Sequence, residues 1–296
     1  MLREVADLGF DAVELSHGIR ISLVPGILTA LDEKMLRVSS THNFCPLPTG
    51  IATAAPNLYV PSSPDPREIE QWLRHTRRTL DFAQQVKAKV VVLHLGHVGF
   101  LLFNPARRLR AHVKRKGALF SSDAPEYKKL VETVTAKLRK QMPPFIARVK
   151  AGLEAILPYA EESGLKLGLE NRERADELPL DADFPAFIDG LNKPGIAGYW
   201  HDAGHAQIKQ NAGLIVHQRQ LEENAGRLVG FHLHDVDAAG RDHVAIGTGS
   251  VDFGMVSKFI RPEHVVVLEF GPKVSAEEIR QSKARIEGLL AERGMG

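Results

Sequence analysis

The sequence predicts a parallel α/β barrel over its 296 residues. Short runs rich in β-branched residues alternate with longer amphipathic segments, which favours a parallel sheet covered by helices. This alternation continues to the C-terminus without a change in composition, so a closed barrel is favoured over an open sheet. No glycine-rich nucleotide-binding motif follows any of the predicted strands. We therefore expect one barrel domain at residues 1–296.

The predicted strands are nearly continuous apolar runs, as expected when helices cover both faces of a parallel sheet. They lie at 12–17, 37–44, 89–96, 165–171, 195–202, 228–235 and 265–271. The sequence thus predicts seven strands, where a complete barrel has eight. Residues 2–10 have the pattern of the end of a helix closed by Gly9, so the first strand, which should precede that helix, is missing. Either the recorded start is too late or the barrel has a gap. A gap would expose two strand edges that a second copy could cover, which predicts a homodimer.

Helix ends are marked by capping residues. Asp65 with Glu68 and Ser275 with Glu278 each match the capping-box pattern, so both pairs predict a helix start. Gly164 is placed to end the long amphipathic segment before the fourth strand.

Residues 98–141 are too many for a loop between a strand and a helix, and they predict an inserted lid or edge element. The segment contains a helix from about residue 125. Its basic residues indicate either a solvated face or a phosphate-binding surface: Arg107, Arg108, Arg110, Lys114, Arg115 and Lys116.

The overall composition excludes few functions. The net charge is +2 and charged residues make up 25% of the chain, which requires neither nucleic acid nor a membrane as partner. Cys45 is the single cysteine, so no intramolecular disulfide can form, and a reducing compartment is favoured. No apolar run approaches the roughly 20 residues of a membrane span. We expect a cytoplasmic protein.

Polar residues close several of the apolar strands, and in a parallel barrel these strand ends form the active site. Strand alternation turns Glu170, His232 and Glu269 inward, and Asp202 ends the fifth strand. Buried carboxylates that face one another repel, and a divalent cation relieves this repulsion. Mixed oxygen and nitrogen ligands suit Mn, Co or Zn, and Mg is also compatible. We predict one divalent metal ion at these four residues.

Other histidines lie at the same strand ends. His42, His94, His205 and His243 are predicted to contact the substrate, and direct metal ligation by them stays open. For His17, His97, His201 and His234, a structural hydrogen-bonding role is expected. No role is assigned to Glu14, at the end of the first strand.

Five motifs carry a family resemblance. In chain order they are LGLEN, DAGHA, FHLHD, DHVAIGTGSVDF and VLEF. Together they resemble the xylose-isomerase-like TIM-barrel superfamily, which includes sugar isomerases and epimerases, inosose and dehydroshikimate dehydratases, and the endonuclease IV repair enzymes. The similarity extends from residue 9 to residue 270. It implies a TIM-type barrel with a metal held by Glu170, Asp202, His232 and Glu269, and with His205 touching the substrate.

Endonuclease IV enzymes hold three zinc ions with additional histidines. His42, His94, His205 and His243 match those positions. Arg241 stands where that family has an aspartate, which argues against the three-metal site.

The leading hypothesis is a metal-dependent isomerase or epimerase of a sugar or keto-sugar. Glu170 and Glu269 would move the proton through an enediolate, while His205 and Arg241 hold substrate oxygens. One alternative is a lyase or dehydratase acting on a keto-sugar, cyclitol or keto-glycoside, and another is a multi-zinc phosphoesterase similar to endonuclease IV. A non-catalytic binding protein would instead have lost the metal ligands. The expected partner is a small carbohydrate rather than nucleic acid or a membrane.

Overall fold

The computed structural model describes residues 2–295. Its seven parallel strands form one curved sheet in sequence order, and together they make a nearly closed barrel. The strands are β1 (Ala12–Leu15), β2 (Arg37–His42), β3 (Val90–Leu93), β4 (Lys166–Glu170), β5 (Ala197–Asp202), β6 (Leu228–Leu233) and β7 (Val265–Leu268).

Helices follow the strands and cover the outside of the barrel. They are α1 (Leu2–Asp7), α2 (Val24–Asp32), α3 (Pro66–Gln85), α4 (Ala106–Lys116), α5 (Pro125–Gln141), α6 (Pro143–Glu162), α7 (Phe184–Asp189), α8 (Ala203–Asn211), α9 (His217–Asn224), α10 (Phe253–Ser257) and α11 (Ala276–Ala291). Between residues 2 and 295, no helix combines the length and the apolar character needed to cross a bilayer.

The predicted fold class is confirmed, and each predicted strand contains one observed strand. The observed strands are shorter. In six of them the last residues of the apolar run leave the sheet and form the rim, whereas β5 begins two residues later than predicted and ends at Asp202 as predicted. Within the described residues, β1 pairs with β2 alone and β7 with β6 alone, so the barrel is open between β1 and β7.

One tryptophan fills much of the barrel interior. The side chain of Trp200 is fully buried and packs with Val90 and Val92. A Cβ atom at Gly168 would lie 2.9 Å from the Trp200 ring, and a Cβ atom at Gly230 would lie 2.2 Å from it. The two glycines on β4 and β6 therefore make room for the indole, since no side chain fits there.

The two predicted helix starts differ in detail. Asp65 caps α3 by accepting a 2.9 Å hydrogen bond from the Arg67 amide. The capping box predicted at this helix is wrong, because the Glu68 carboxylate instead accepts from the Ser63 hydroxyl, 2.6 Å away. The capping box at Ser275 is present.

The predicted helical insertion after β3 is present and comprises α4 and α5. The amide of Asn104, at its start, donates to the Asp176 carboxylate in the loop after β4 at 2.6 Å. The buried Tyr127 on α5 donates its hydroxyl to the Ala212 carbonyl at 2.9 Å. These hydrogen bonds fix the insertion to two neighbouring loops of the barrel.

Candidate active site

Polar side chains from six neighbouring strands converge at the C-terminal rim of the barrel. Four lie in their strands and two directly follow them: His42, His94, Glu170, Asp202, His232 and Glu269. All are buried except Glu269, whose side chain is 28% exposed. Of the three carboxylates at the rim, only that of Glu269 is therefore accessible to solvent, and those of Glu170 and Asp202 are buried.

The imidazole of His232 lies at the centre of this cluster. Its Nδ1 atom is 3.3 Å from Glu170 Oε1, 3.3 Å from Glu269 Oε2 and 3.8 Å from Asp202 Oδ2. Its Nε2 atom is 2.9 Å from Glu14 Oε1. Burial opposes a charge on the ring, but the surrounding carboxylates outweigh it and raise the pKa of His232 well above its ordinary value.

These distances place all four predicted metal ligands in one group. Several carboxylates held this close need a positive charge among them, which either a proton or a metal ion supplies. With Nε2–H donated to Glu14, the Nδ1 lone pair of a neutral His232 faces the three carboxylates. The donor set, three carboxylates and one imidazole, fits a divalent ion.

Asp202 is oriented by two hydrogen bonds. The Nδ1 atom of His234 accepts from the His243 amide at 2.9 Å, so in the neutral ring Nε2 carries the hydrogen and donates it to Asp202 Oδ2 at 3.1 Å. Asp202 Oδ1 accepts from the His205 amide at 2.7 Å and so caps α8. Burial raises the pKa of Asp202, but the neighbouring His205 and His234 lower it more, so this pKa lies below its ordinary value. His234 therefore positions Asp202 by a hydrogen bond.

The imidazoles of His42 and His94 face the other oxygen of Glu170. Nδ1 of His42 is 3.0 Å from the Asn43 carbonyl, and Nδ1 of His94 is 3.0 Å from Asn57 Oδ1, so each neutral ring carries its hydrogen there. Their Nε2 atoms lie 3.3 Å and 2.7 Å from Glu170 Oε2. Burial lowers the pKa of His94 well below its ordinary value, so the ring is neutral and its Nε2 lone pair faces a carboxylate oxygen. These two histidines and Glu170 could hold a second cation.

His205 and His243 lie on the opposite side of the cluster. Nε2 of His205 is 3.9 Å from Asp242 Oδ2, and Nδ1 of His243 is 3.2 Å from Asp242 Oδ1. Burial opposes charge on His243, but hydrogen bonds with Asp242 and Glu269 raise the pKa of His243 to about 10. Asp242 was not identified from the sequence, although it directly precedes His243.

Arg241 lies outside this cluster. Its side chain is 74% exposed, and its Nε atom donates to Asp237 at 2.7 Å. The structure thus brings together every predicted site residue except Arg241.

Two further charged residues support the ligands and were not assigned from the sequence. The guanidinium of Arg172 donates to Glu170 Oε1 at 3.2 Å. Burial raises the pKa of Glu170, but the charge of Arg172 lowers it, and this pKa lies well below its ordinary value. Glu14 accepts from Ser40 at 2.7 Å with the oxygen that does not face His232. The available signal for Arg172 was weak, since the residue lies two positions beyond the end of β4 and close to the predicted ligand Glu170.

Asp235 organises the loop that carries His243. Its fully buried carboxylate accepts hydrogen bonds of 2.8–2.9 Å from the backbone amides of Val236, Gly247, Gly249 and Val251. At Gly249 a Cβ atom would lie 2.5 Å from the carboxylate, so the loop approaches closely only with glycine there.

The comparisons with known proteins agree with this architecture. A search of curated protein sequences gave no significant match. The fold is similar to that of a D-tagatose 3-epimerase-like protein, with TM-score 0.65 and 19% identity, covering 96% of this chain and 89% of that one. It is also similar to the E. coli 3-keto-D-glucoside 4-epimerase, with TM-score 0.64, 16% identity and coverage of 97% and 92%. An L-ribulose 3-epimerase matches with TM-score 0.66, 15% identity and coverage of 98% and 88%.

At these identities the solved structures establish the fold. The family model described as xylose isomerase-like TIM barrel matches residues 2–287, which is nearly the whole chain. The chain therefore belongs to the xylose isomerase-like TIM-barrel family.

Proposed function

We propose that the protein is a metal-dependent epimerase or isomerase of a sugar or keto-sugar. The observation that carries this proposal is the convergence of Glu170, Asp202 and Glu269 on one imidazole nitrogen of His232.

 Solved structures with a similar fold are named as sugar epimerases, which supports a carbohydrate substrate. We expect these three carboxylates and His232 to hold one divalent ion.

When bound, a divalent ion at this position would polarise a substrate carbonyl and acidify the carbon-bound proton beside it. The protein itself supplies the bases. Glu170 is held ionised by Arg172, despite the opposing effect of burial on its pKa. Burial also opposes ionisation of Glu269, but His232 and His243 keep its pKa well below the ordinary value. Both carboxylates are therefore proton acceptors at neutral pH.

We assign proton transfer to Glu170 and Glu269. One carboxylate takes the proton from the substrate carbon, and a proton returned to the opposite face by the other inverts that centre. Return of the proton to the adjacent carbon would instead complete an isomerisation. His42, His94, His205 and His243 surround these carboxylates and are placed to donate to or accept from substrate hydroxyls.

The first test is metal content per chain, measured by elemental analysis after loading with Mn²⁺ and removal of free ion. We expect one ion per chain in the wild type and its loss in Glu170→Gln. The control is Glu263→Gln, because Glu263 is exposed and lies at the opposite end of β7 from Glu269. Absence of bound metal in the wild type would refute the proposal.

The second test follows exchange of carbon-bound hydrogen. The metal-loaded protein is incubated with a panel of ketoses and keto-glycosides in deuterated water, and incorporation is read by NMR. Exchange that depends on Glu269, with a product of unchanged composition, is the expected result. A product that has lost water would identify a lyase, and no exchange with any sugar would contradict the assignment.

One observation favours a second candidate, a multi-metal phosphoesterase. The unprotonated Nε2 atoms of His42 and His94 lie beside Glu170 Oε2. These three atoms are close enough together to act as ligands of a second metal ion. Two or three zinc ions per chain, together with cleavage of an abasic-site duplex, would replace the epimerase proposal with this one.

A further inference from the structure

A basic pocket lies in the insertion, away from the rim of the barrel. Its volume is about 700 Å³, within the usual range for small-molecule sites. It is formed between the beginning of α4 and the end of α5. None of the residues that surround His232 lines it, so it is distinct from the candidate active site.

The charge of this pocket is entirely positive, because no carboxylate lines it. Neighbouring basic residues on the same helices are neutralised, since Lys116 pairs with Glu126 and Arg139 pairs with Asp183. Within residues 2–295, by contrast, no ion pair involves the four basic residues of the pocket: Arg107, Arg108, Lys137 and Lys140. Four like charges around one cavity repel one another, and a bound anion relieves that repulsion.

Aromatic side chains form part of the pocket wall. Phe100 and Phe103 both line it. Phe103 is 88% exposed, so most of its ring surface is free to contact a bound group. A ring or other flat apolar group bound beside the cations would cover this side chain.

We propose that the pocket binds a small organic phosphate that also carries a flat apolar group, which is the chemistry of a nucleotide. Arginine guanidinium groups match phosphate oxygens in planar, bidentate geometry, and lysines add point charge. The two phenylalanines take the apolar group. This proposal is independent of the function proposed for the barrel rim.

The test uses adenosine monophosphate as the probe, with inorganic phosphate and adenosine as its two halves. Binding to the metal-loaded protein is measured by isothermal titration calorimetry at low salt. We expect one adenosine monophosphate per chain, bound more tightly than either half. Binding should weaken as salt is raised, because exposed charges are screened.

Two charge-matched double variants locate the site. In Arg107→Ala/Lys137→Ala, two pocket cations are removed, and affinity should fall by about tenfold or more. In Arg110→Ala/Lys114→Ala, the same charge is removed from exposed positions of α4 that do not line the pocket, and affinity should stay within about twofold. Thermal melts followed by circular dichroism confirm that both variants are folded.

Three outcomes would overturn the proposal. Equal weakening in both double variants would mean that the helix attracts anions without a site. Loss of binding in Glu269→Gln would place the nucleotide at the barrel rim. Tighter binding of an oligonucleotide, through the same four cations, would make the pocket part of a nucleic-acid surface.

Discussion

Glu14 provides the sharpest test of how the candidate metal centre is built. Its carboxylate accepts from Nε2 of His232 at 2.9 Å and from the Ser40 hydroxyl at 2.7 Å. The hydrogen bond from His232 leaves the Nδ1 lone pair of a neutral ring directed at the other carboxylates. We expect Glu14→Ala to release the ring and Glu14→Gln to keep a weaker, uncharged hydrogen bond.

The size of the effect follows from that single contact. Removal of the hydrogen-bond partner of a metal-binding histidine typically costs about 10- to 100-fold in metal affinity. A hydrogen bond to a charged group is worth about twice a neutral one. We therefore expect a loss of about 100-fold for Glu14→Ala, which is about 2.7 kcal/mol, and of about tenfold for Glu14→Gln.

The assay is competition between the protein and a chelating dye for Mn²⁺. The control is Ser40→Ala, which removes the other hydrogen bond of Glu14 and leaves its charge beside His232. The Ser40 hydroxyl does not contact His232, and the Glu14 oxygen that orients the ring is untouched in this variant, so the control should lose less than about fivefold in metal affinity. An unchanged dissociation constant in folded Glu14→Ala would show that Glu14 does not orient His232, and would refute the reasoning.

Three further changes test the structure around the site. Asp235→Asn keeps one acceptor oxygen of the buried carboxylate, so two of the four backbone amides lose their partner. Urea unfolding should show a loss of about 2–6 kcal/mol in stability, against less than about 1 kcal/mol for the control Asp7→Asn at an exposed position. Burial lowers the pKa of His217 to about 4, so the folded state binds fewer protons than the unfolded state between that value and about 6.5. Stability should therefore fall as pH falls through this window, by up to about 3 kcal/mol, and urea titrations at several pH values should show a shallower fall for His217→Gln. Lys209→Met removes the buried ammonium that lies 2.8 Å from both oxygens of Asp181, and should lower the free energy of unfolding by about 3 kcal/mol. The double variant Lys209→Met/Asp181→Asn should regain part of this loss, because no unpaired charge is left. Equal losses of stability in the single and double variants, measured by urea unfolding, would contradict the ion-pair explanation.

Much of the fold could be predicted from hydrophobic pattern and helix caps. The β-branched runs located all seven strands, because a strand buried on both faces must be apolar along its length. The ends of those strands were overestimated, since residues such as His94 continue the apolar pattern while leaving the sheet. The capping box at Asp65 failed for a local reason: the Ser63 hydroxyl, close in sequence, takes the bond from Glu68.

The candidate site was predictable where a charge interrupts an apolar strand. Glu170 and Glu269 stand out on this basis, because a single carboxylate in such a strand is costly without a partner. Arg172, Glu14 and Asp242 carried no comparable signal, since charged residues at strand ends and in loops are usually solvated. Their burial became apparent only from the neighbours that the fold places around them.

The sequence by itself determined the alternation of strands and helices, and the rim on which Glu170, Asp202, His232 and Glu269 lie, because side-chain periodicity and burial act along the chain. Only the tertiary structure decided which ring nitrogen faces the carboxylates, that Asp242 rather than Arg241 joins the cluster, and that four cations of the insertion line one open pocket. These features depend on distances between strands and helices far apart in sequence. Such distances are set by packing, so no local pattern of residues encodes them.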